Sequence, residues 1–244
     1  MGGTRKLGAL FFAAAIWGGS LVVNPAEAQK PPRADLSDVL PAAEIVQGDL
    51  RARVSMVAAS EDPSMKAPML EVVFGNQSVL RIEGVPSGWD SPQGTIEIHE
   101  IDPANNTPEV VFTSFFGGAH CCTQVHVASA DKAGDWHDVD VGFFDGEGGT
   151  FADLDGDGEA EFKNFDNNFL YAFDCYACSD APLLIYAVTG GKVVDVSRKE
   201  AFTRFHREWL AGMEGRLAEA QRGSSQAGSR KRRCWARAMK PGRR

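Results

Sequence analysis

The chain has 244 residues, enough for one sizeable core with appendages. Its formal net charge of −8 hides a split: residues 29–221 carry 14 Lys/Arg against 32 Asp/Glu, while residues 222–244 carry nine Lys/Arg and no acid. So acidic a body repels phosphates, which excludes nucleic acid as its partner and suits cations.

Residues 1–28 read as a secretory signal. Arg5 and Lys6 give the positive start, residues 7–23 are largely apolar, and Ala26-Glu27-Ala28 supplies the small-x-small cleavage pattern. Cleavage after Ala28 predicts a periplasmic or secreted protein. No later stretch is long and apolar enough to cross a bilayer, so no transmembrane segment is expected after cleavage. Residues 29–68 are rich in Pro, Ala and Asp at their start and are expected to be a partly ordered leader, with a short helical turn at 35–40.

From Met69 the texture becomes β-like. Residues 69–74 and 78–83 flank Gly75-Asn76-Gln77, a hairpin signal. Residues 94–101 alternate through Ile96, Ile98 and Ile101, and residues 109–116 are β-branched and aromatic. Residues 123–129 alternate through Val125 and Val127, and residues 136–144 place Val139, Val141 and Phe143 on one face. Residues 182–188 and 192–196 flank Thr189-Gly190-Gly191, another hairpin. After Ser197 the period becomes helical through Phe202, Phe205, Trp209, Leu210, Met213 and Leu217, with Ser197 and Glu200 as a capping box. The chain is therefore expected to be mainly β. Antiparallel sheets, propeller-like or a sandwich, occupy residues 69–198, followed by a C-terminal amphipathic helix over 199–222. Residues 223–244, Gly/Ser-rich and then basic, are expected to be a disordered tail.

The most specific chemistry lies in Asp153-Leu154-Asp155-Gly156-Asp157-Gly158-Glu159-Ala160-Glu161. Calcium is a hard cation that takes six to eight oxygens at roughly 2.3–2.6 Å. Carboxylates of Asp153, Asp155 and Asp157 alternate, Gly158 permits a sharp turn, and the carbonyl of Glu159 can swing inward. An EF-hand would close the shell at position 12, which here is Asn164, and would need flanking helices. Glu161 at position 9, between strands, fits better. Without a cation, so many acids repel one another. This Asp-x-Asp-x-Asp-Gly-x-x-acid pattern resembles the calcium loops of FG-GAP (integrin-α-like) repeats. The resemblance implies ligands from the side chains of Asp153, Asp155, Asp157 and Glu161 and from the carbonyl of Glu159. Residues 112–198, with Gly117-Gly118-Ala119-His120-Cys121-Cys122-Thr123, also look like an exported bacterial protein family of unknown function.

A second cluster combines His120, Cys121, Cys122 and His126 with Cys175 and Cys178; the fifth cysteine, Cys234, lies in the tail. In an oxidising compartment the four body cysteines read as two disulfides joining the two segments. Adjacent Cys121 and Cys122 would close a strained eight-membered ring. Transition-metal ligation or a dithiol redox centre are the alternatives. His99, His137 and His206 read as surface or packing residues. No Gly-x-Ser-x-Gly segment or phosphate-cradling loop is present, and no catalytic residues are assigned. The expected role is a non-catalytic exported calcium-binding β-domain, with an unknown protein or glycan as partner. The alternatives are a periplasmic transition-metal or thiol-redox protein and a carboxylate-dependent hydrolase.

Overall fold

The computed structural model describes residues 30–36, 41–87, 93–118, 121–172, 176 and 179–222, the last six of them by backbone only. The chain divides into Met1–Lys30 and Pro31–Arg244, and every strand and helix described belongs to the second unit. The expected signal and basic tail both lie outside the described residues, as do 37–40 of the expected helical turn.

The described residues are mostly strand, in three antiparallel sheets. The first is a meander of β2 (Ala42–Gln47), β3 (Leu50–Ala58), β4 (Lys66–Phe74) and β5 (Gln77–Glu83). The second runs β6 (Gln93–His99), β7 (Glu109–Phe115), β8 (Cys121–Ala130) and β9 (Trp136–Asp145), with β1 (Arg33–Asp35) added beside β6. The third is again a meander, of β10 (Thr150–Ala152), β11 (Glu161–Phe165), β12 (Leu183–Val188) and β13 (Val193–Asp195). A helix, α1 (Thr203–Arg222), comes after β13. No helix of the described residues is long and apolar enough to cross a membrane.

Alternation explains how these sheets stack, because successive side chains of a strand point to opposite faces. Val110, Phe112 and Ala128 of the second sheet share a buried cluster with Leu50, Val54, Leu70 and Val72 of the first. Val111, Val125 and Val127, one residue out of phase, share another with Phe151, Phe162 and Val188 of the third. The second sheet is thus covered on both faces, which is why β7 opens with four consecutive buried residues. The opposite face of the third sheet, through Leu183 and Ile185, packs on Phe202 with Phe205 and Trp209 beside them.

The fold corrects three expectations. Residues 29–68 are not a leader: apart from the undescribed 29 and 37–40, they supply β1 to β3 and the start of β4. Leu50, Ala52 and Val54 alternate inward while Arg51 and Arg53 point out, so small and charged residues masked a half-buried strand. On β9, Val139 and Val141 are buried but Phe143 is 45 % exposed and Phe144 takes the inner side. A bulge sets this: Val125 opposes Gly142 and His126 opposes Asp140, leaving Val141 as an extra residue that inverts the alternation. Finally, Ser197 does not cap the helix. Its hydroxyl accepts from Ile185 N–H at 2.8 Å and donates to Ile185 carbonyl, tying it to β12, and α1 begins at Thr203 after a 3-10 turn over Glu200–Phe202.

Candidate metal centre

The loop between β10 and β11 is built from its own acids. Asp153 Oδ1 accepts from Gly156 N–H at 2.7 Å and its Oδ2 from Gly158 N–H at 3.1 Å. These two bonds wrap the chain around one carboxylate, and they require the positive φ of Gly156 and Gly158, +89° and +97°. Asp155 Oδ1 accepts from Asp157 N–H, and Asp157 Oδ1 from Glu159 N–H. Glu161, the first residue of β11 and buried, reaches back so that its Oε2 accepts from Leu154 N–H at 2.9 Å.

Asp153, Asp155 and Glu161 each bring a carboxylate oxygen to within 4.8 Å of the others. Oxygens bound to one calcium ion at about 2.4 Å lie no more than roughly 5 Å apart, so the spread fits a shared ion. All donors are hard oxygens, and each carboxylate oxygen keeps a lone pair beyond its N–H bond. Asp157 stands outside this trio, with its carboxylate turned to the Glu159 amide. Burial pushes the Glu161 carboxyl upward, and the charges of Asp155 and Asp157 push it further. Glu159 is raised the same way, by burial and then by Asp157, Glu100, Asp102 and Asp155. The part of these shifts that comes from neighbouring carboxylates is repulsion that a cation would relieve.

Two neighbours that spacing did not point to hold the loop in place. Ala160 N–H donates to the Glu100 carbonyl at 2.7 Å, fastening the loop to the chain after β6. Leu154 buries its side chain against Phe202 and Ile185 while its carbonyl accepts from Arg204 of α1. No local sequence signal marks either contact, since each partner lies dozens of residues away.

The cysteine cluster looks different. Cys121 and Cys122 bring their sulfurs together across a cis peptide. His120, Cys175 and Cys178 lie outside the described residues. His126 sits five residues along β8, roughly 16 Å at the usual strand rise, too far to share an ion with Cys121. Its Nδ1 lies 2.8 Å from Asp138. His99 pairs with Glu97, His137 with Asp131, and His206 with the Ser197 carbonyl.

No family model matches the chain, and no solved structure matches it. Two curated proteins do. A probable thylakoid lumen protein of Synechocystis sp. is 38% identical over 178 residues, 72% of this chain and 52% of that protein. An uncharacterized protein of Sinorhizobium fredii is 35% identical over 135 residues, 55% of this chain and 21% of that protein. The chain therefore spans about half the length of the first relative and about a fifth of the second.

Proposed function

We propose that this chain is a non-catalytic, exported β-domain that binds calcium in the loop 153–161 and serves as an interaction module. The observation that carries the reading is the convergence of Asp153, Asp155 and Glu161 in a turn between two strands. The β-loop-β setting supports the likeness to FG-GAP calcium loops over an EF-hand. The similarity to a thylakoid lumen protein supports an exported compartment, where calcium is accessible. The ion's role is structural: the loop sits at the junction of the third sheet, α1 and the chain after β6, and neutralising its acids fastens all three. Melting in calcium and in EDTA tests this, alongside calorimetric calcium titration. A midpoint unchanged between the two conditions, with no binding heat, would discard the calcium reading.

A further inference from the structure

A line of hydrogen bonds runs from the second sheet into the acidic loop. Glu109, fully buried at the start of β7, accepts at Oε2 from Ile101 N–H at 2.8 Å. The other end of that peptide unit is the Glu100 carbonyl, which accepts from Ala160 N–H at 2.7 Å. The other end of this second unit is the Glu159 carbonyl, the backbone ligand that the FG-GAP resemblance implies. Both units are trans, and a trans peptide directs its N–H and C=O in opposite directions. The Glu159 carbonyl therefore points away from Glu100, and its direction depends on where Glu100 is held. Glu109 supplies that hold. Its Oε2 also accepts from Asp102 N–H at 3.1 Å, and the Asp102 carboxylate accepts from Gly190 and Gly191 of the β12–β13 turn.

The charge of Glu109 decides how strongly this line pulls. Hydrogen bonds in series polarise one another, by about 10–30 % per bond, and a charged acceptor bonds roughly twice as strongly as a neutral one. An ionised Glu109 thus enriches the Glu100 oxygen, strengthens the bond from Ala160 and makes the Glu159 oxygen a better ligand. A protonated Glu109 keeps the bonds in weaker form. Its proton can sit on Oε1, facing Ser129 Oγ at 3.2 Å, a hydroxyl that accepts as well as donates. Burial raises this carboxyl to about 7, which brings both forms within reach near neutrality. The groups around it are engaged elsewhere or neutral. His99, its register partner on β6, is bound to Glu97, and Asn105 and Ser129 carry no charge. His137 of β9, opposite Ser129, pairs with Asp131. Glu100 and Asp102 lie on the chain after β6, and the β12–β13 turn adds the exposed Lys192. Replacing Glu109 alone separates its titration from theirs.

We propose that Glu109 is a positioning residue for the loop 153–161, holding the Glu159 carbonyl as a calcium ligand through the Glu100–Ile101 and Glu159–Ala160 peptide units, so that calcium is bound more tightly when Glu109 is ionised. This role rests on the calcium reading above and adds a control to it: the site tightens as pH rises through neutrality.

Calorimetric calcium titrations of the full chain at pH 6 and pH 8, on the parent protein and on Glu109→Gln, test it. At pH 8 the parent should bind about fivefold more tightly than the variant, the small end of couplings between sites, and at pH 6 the two should bind nearly alike. By reciprocity, calcium should lower the Glu109 titration midpoint by the same factor, about 0.7 of a pH unit. Carboxyl-carbon NMR of the parent protein with and without calcium reads that midpoint, and it decides the matter even if the variant fails to fold. A loop merely loosened by the substitution would lose affinity equally at both pH values. That result, or a Glu109 midpoint unmoved by calcium, would overturn the proposal while leaving calcium binding intact. No calcium binding by the parent at either pH would overturn it together with the calcium reading.

Discussion

Arg204, in the first turn of α1, donates from Nη2 to the carbonyl oxygen of Leu154 at 2.5 Å, fifty residues back in the chain. The guanidinium also lies 4.6 Å from the centroid of the Phe205 ring. The bond fixes the second residue of the acidic loop, whose N–H is already held by Glu161. Leu154 is thus pinned at its amide by one candidate ligand, at its carbonyl by the helix and at its side chain by the core. Replacing Arg204 by Ala should loosen the loop without removing a ligand. A bond to a charged group is worth roughly 1.5–3 kcal/mol where shielded and less at this exposed position, so about 1 kcal/mol is expected. Calcium affinity measured by calorimetry should fall about fivefold, with ligand stoichiometry unchanged.

Calcium and the closing acid are coupled more directly. A ligand that binds only the folded chain at about a hundred times its dissociation constant adds about 2.7 kcal/mol. For a domain of this size that raises the melting midpoint by roughly 5–10 °C. The Glu161→Gln variant should lose most of that rise, because a neutral amide oxygen replaces a carboxylate among Asp153 and Asp155. In EDTA the order should reverse. The raised pKa of Glu161 reflects burial first and like charges second, so the neutral variant should melt above the parent protein there.

Gly149 tests the packing between the loop's sheet and its hairpin. A Cβ at this position would stand 2.7 Å from the ring of Phe162 and 2.8 Å from the Lys163 carbonyl, and the residue has φ +95°. Phe162 is 1 % exposed and is packed by Phe144 and Phe151, so it has little room to move. Gly149→Ala should therefore cost about 2–4 kcal/mol, from overpacking and from the left-handed backbone together. Chemical denaturation should show a lower midpoint with an unchanged slope.

The β architecture and the acidic turn between β10 and β11 could be read from sequence because both are local codes. Alternation marks a half-buried strand over a few residues, and the loop's acids lie within nine positions of one another. Where alternation failed, a specific cause is visible. At β9 a single extra residue, Val141, exchanged the faces of Phe143 and Phe144. At β3 an inward Ala52 carried too little hydrophobic signal for its strand to stand out. The capping box failed because Ser197 had a partner on β12 that no helix-based rule includes. The supports of the site were not legible, since Arg204 and Glu100 reach the loop only after three sheets and a helix have assembled. Asn164 shows the same limit: as a sequence position it was an unsuitable EF-hand ligand, and only the fold reveals it as a buried residue of β11.

Glu109 gives a prediction of a different kind. It is fully buried at the start of β7 and caps the loop that precedes the strand. Its Oε2 accepts from the N–H groups of Ile101 and Asp102, and its Oε1 from Asn105 and Ser129. Asp102, also buried, accepts in turn from Gly190 and Gly191 in the β12–β13 turn, so this network joins the second and third sheets. Burial outweighs the hydrogen bonds, and with the nearby Glu100 charge it raises the Glu109 carboxyl from 4.5 to about 7. The folded state then holds a proton that the unfolded chain releases near its ordinary value. The resulting stability is present below that ordinary value and is lost as pH rises through about 7. Fully expressed, a difference of this size corresponds to at most about 3 kcal/mol. Urea denaturation at a series of pH values should show the parent protein weakening across this window. Glu109→Gln has no proton to lose. It should start lower, because its NH2 meets the Asn105 amide, yet show a flatter profile between pH 5 and 8. Parallel profiles for the two proteins would mean that Glu109 stays ionised in the fold and that its four donors outweigh its burial.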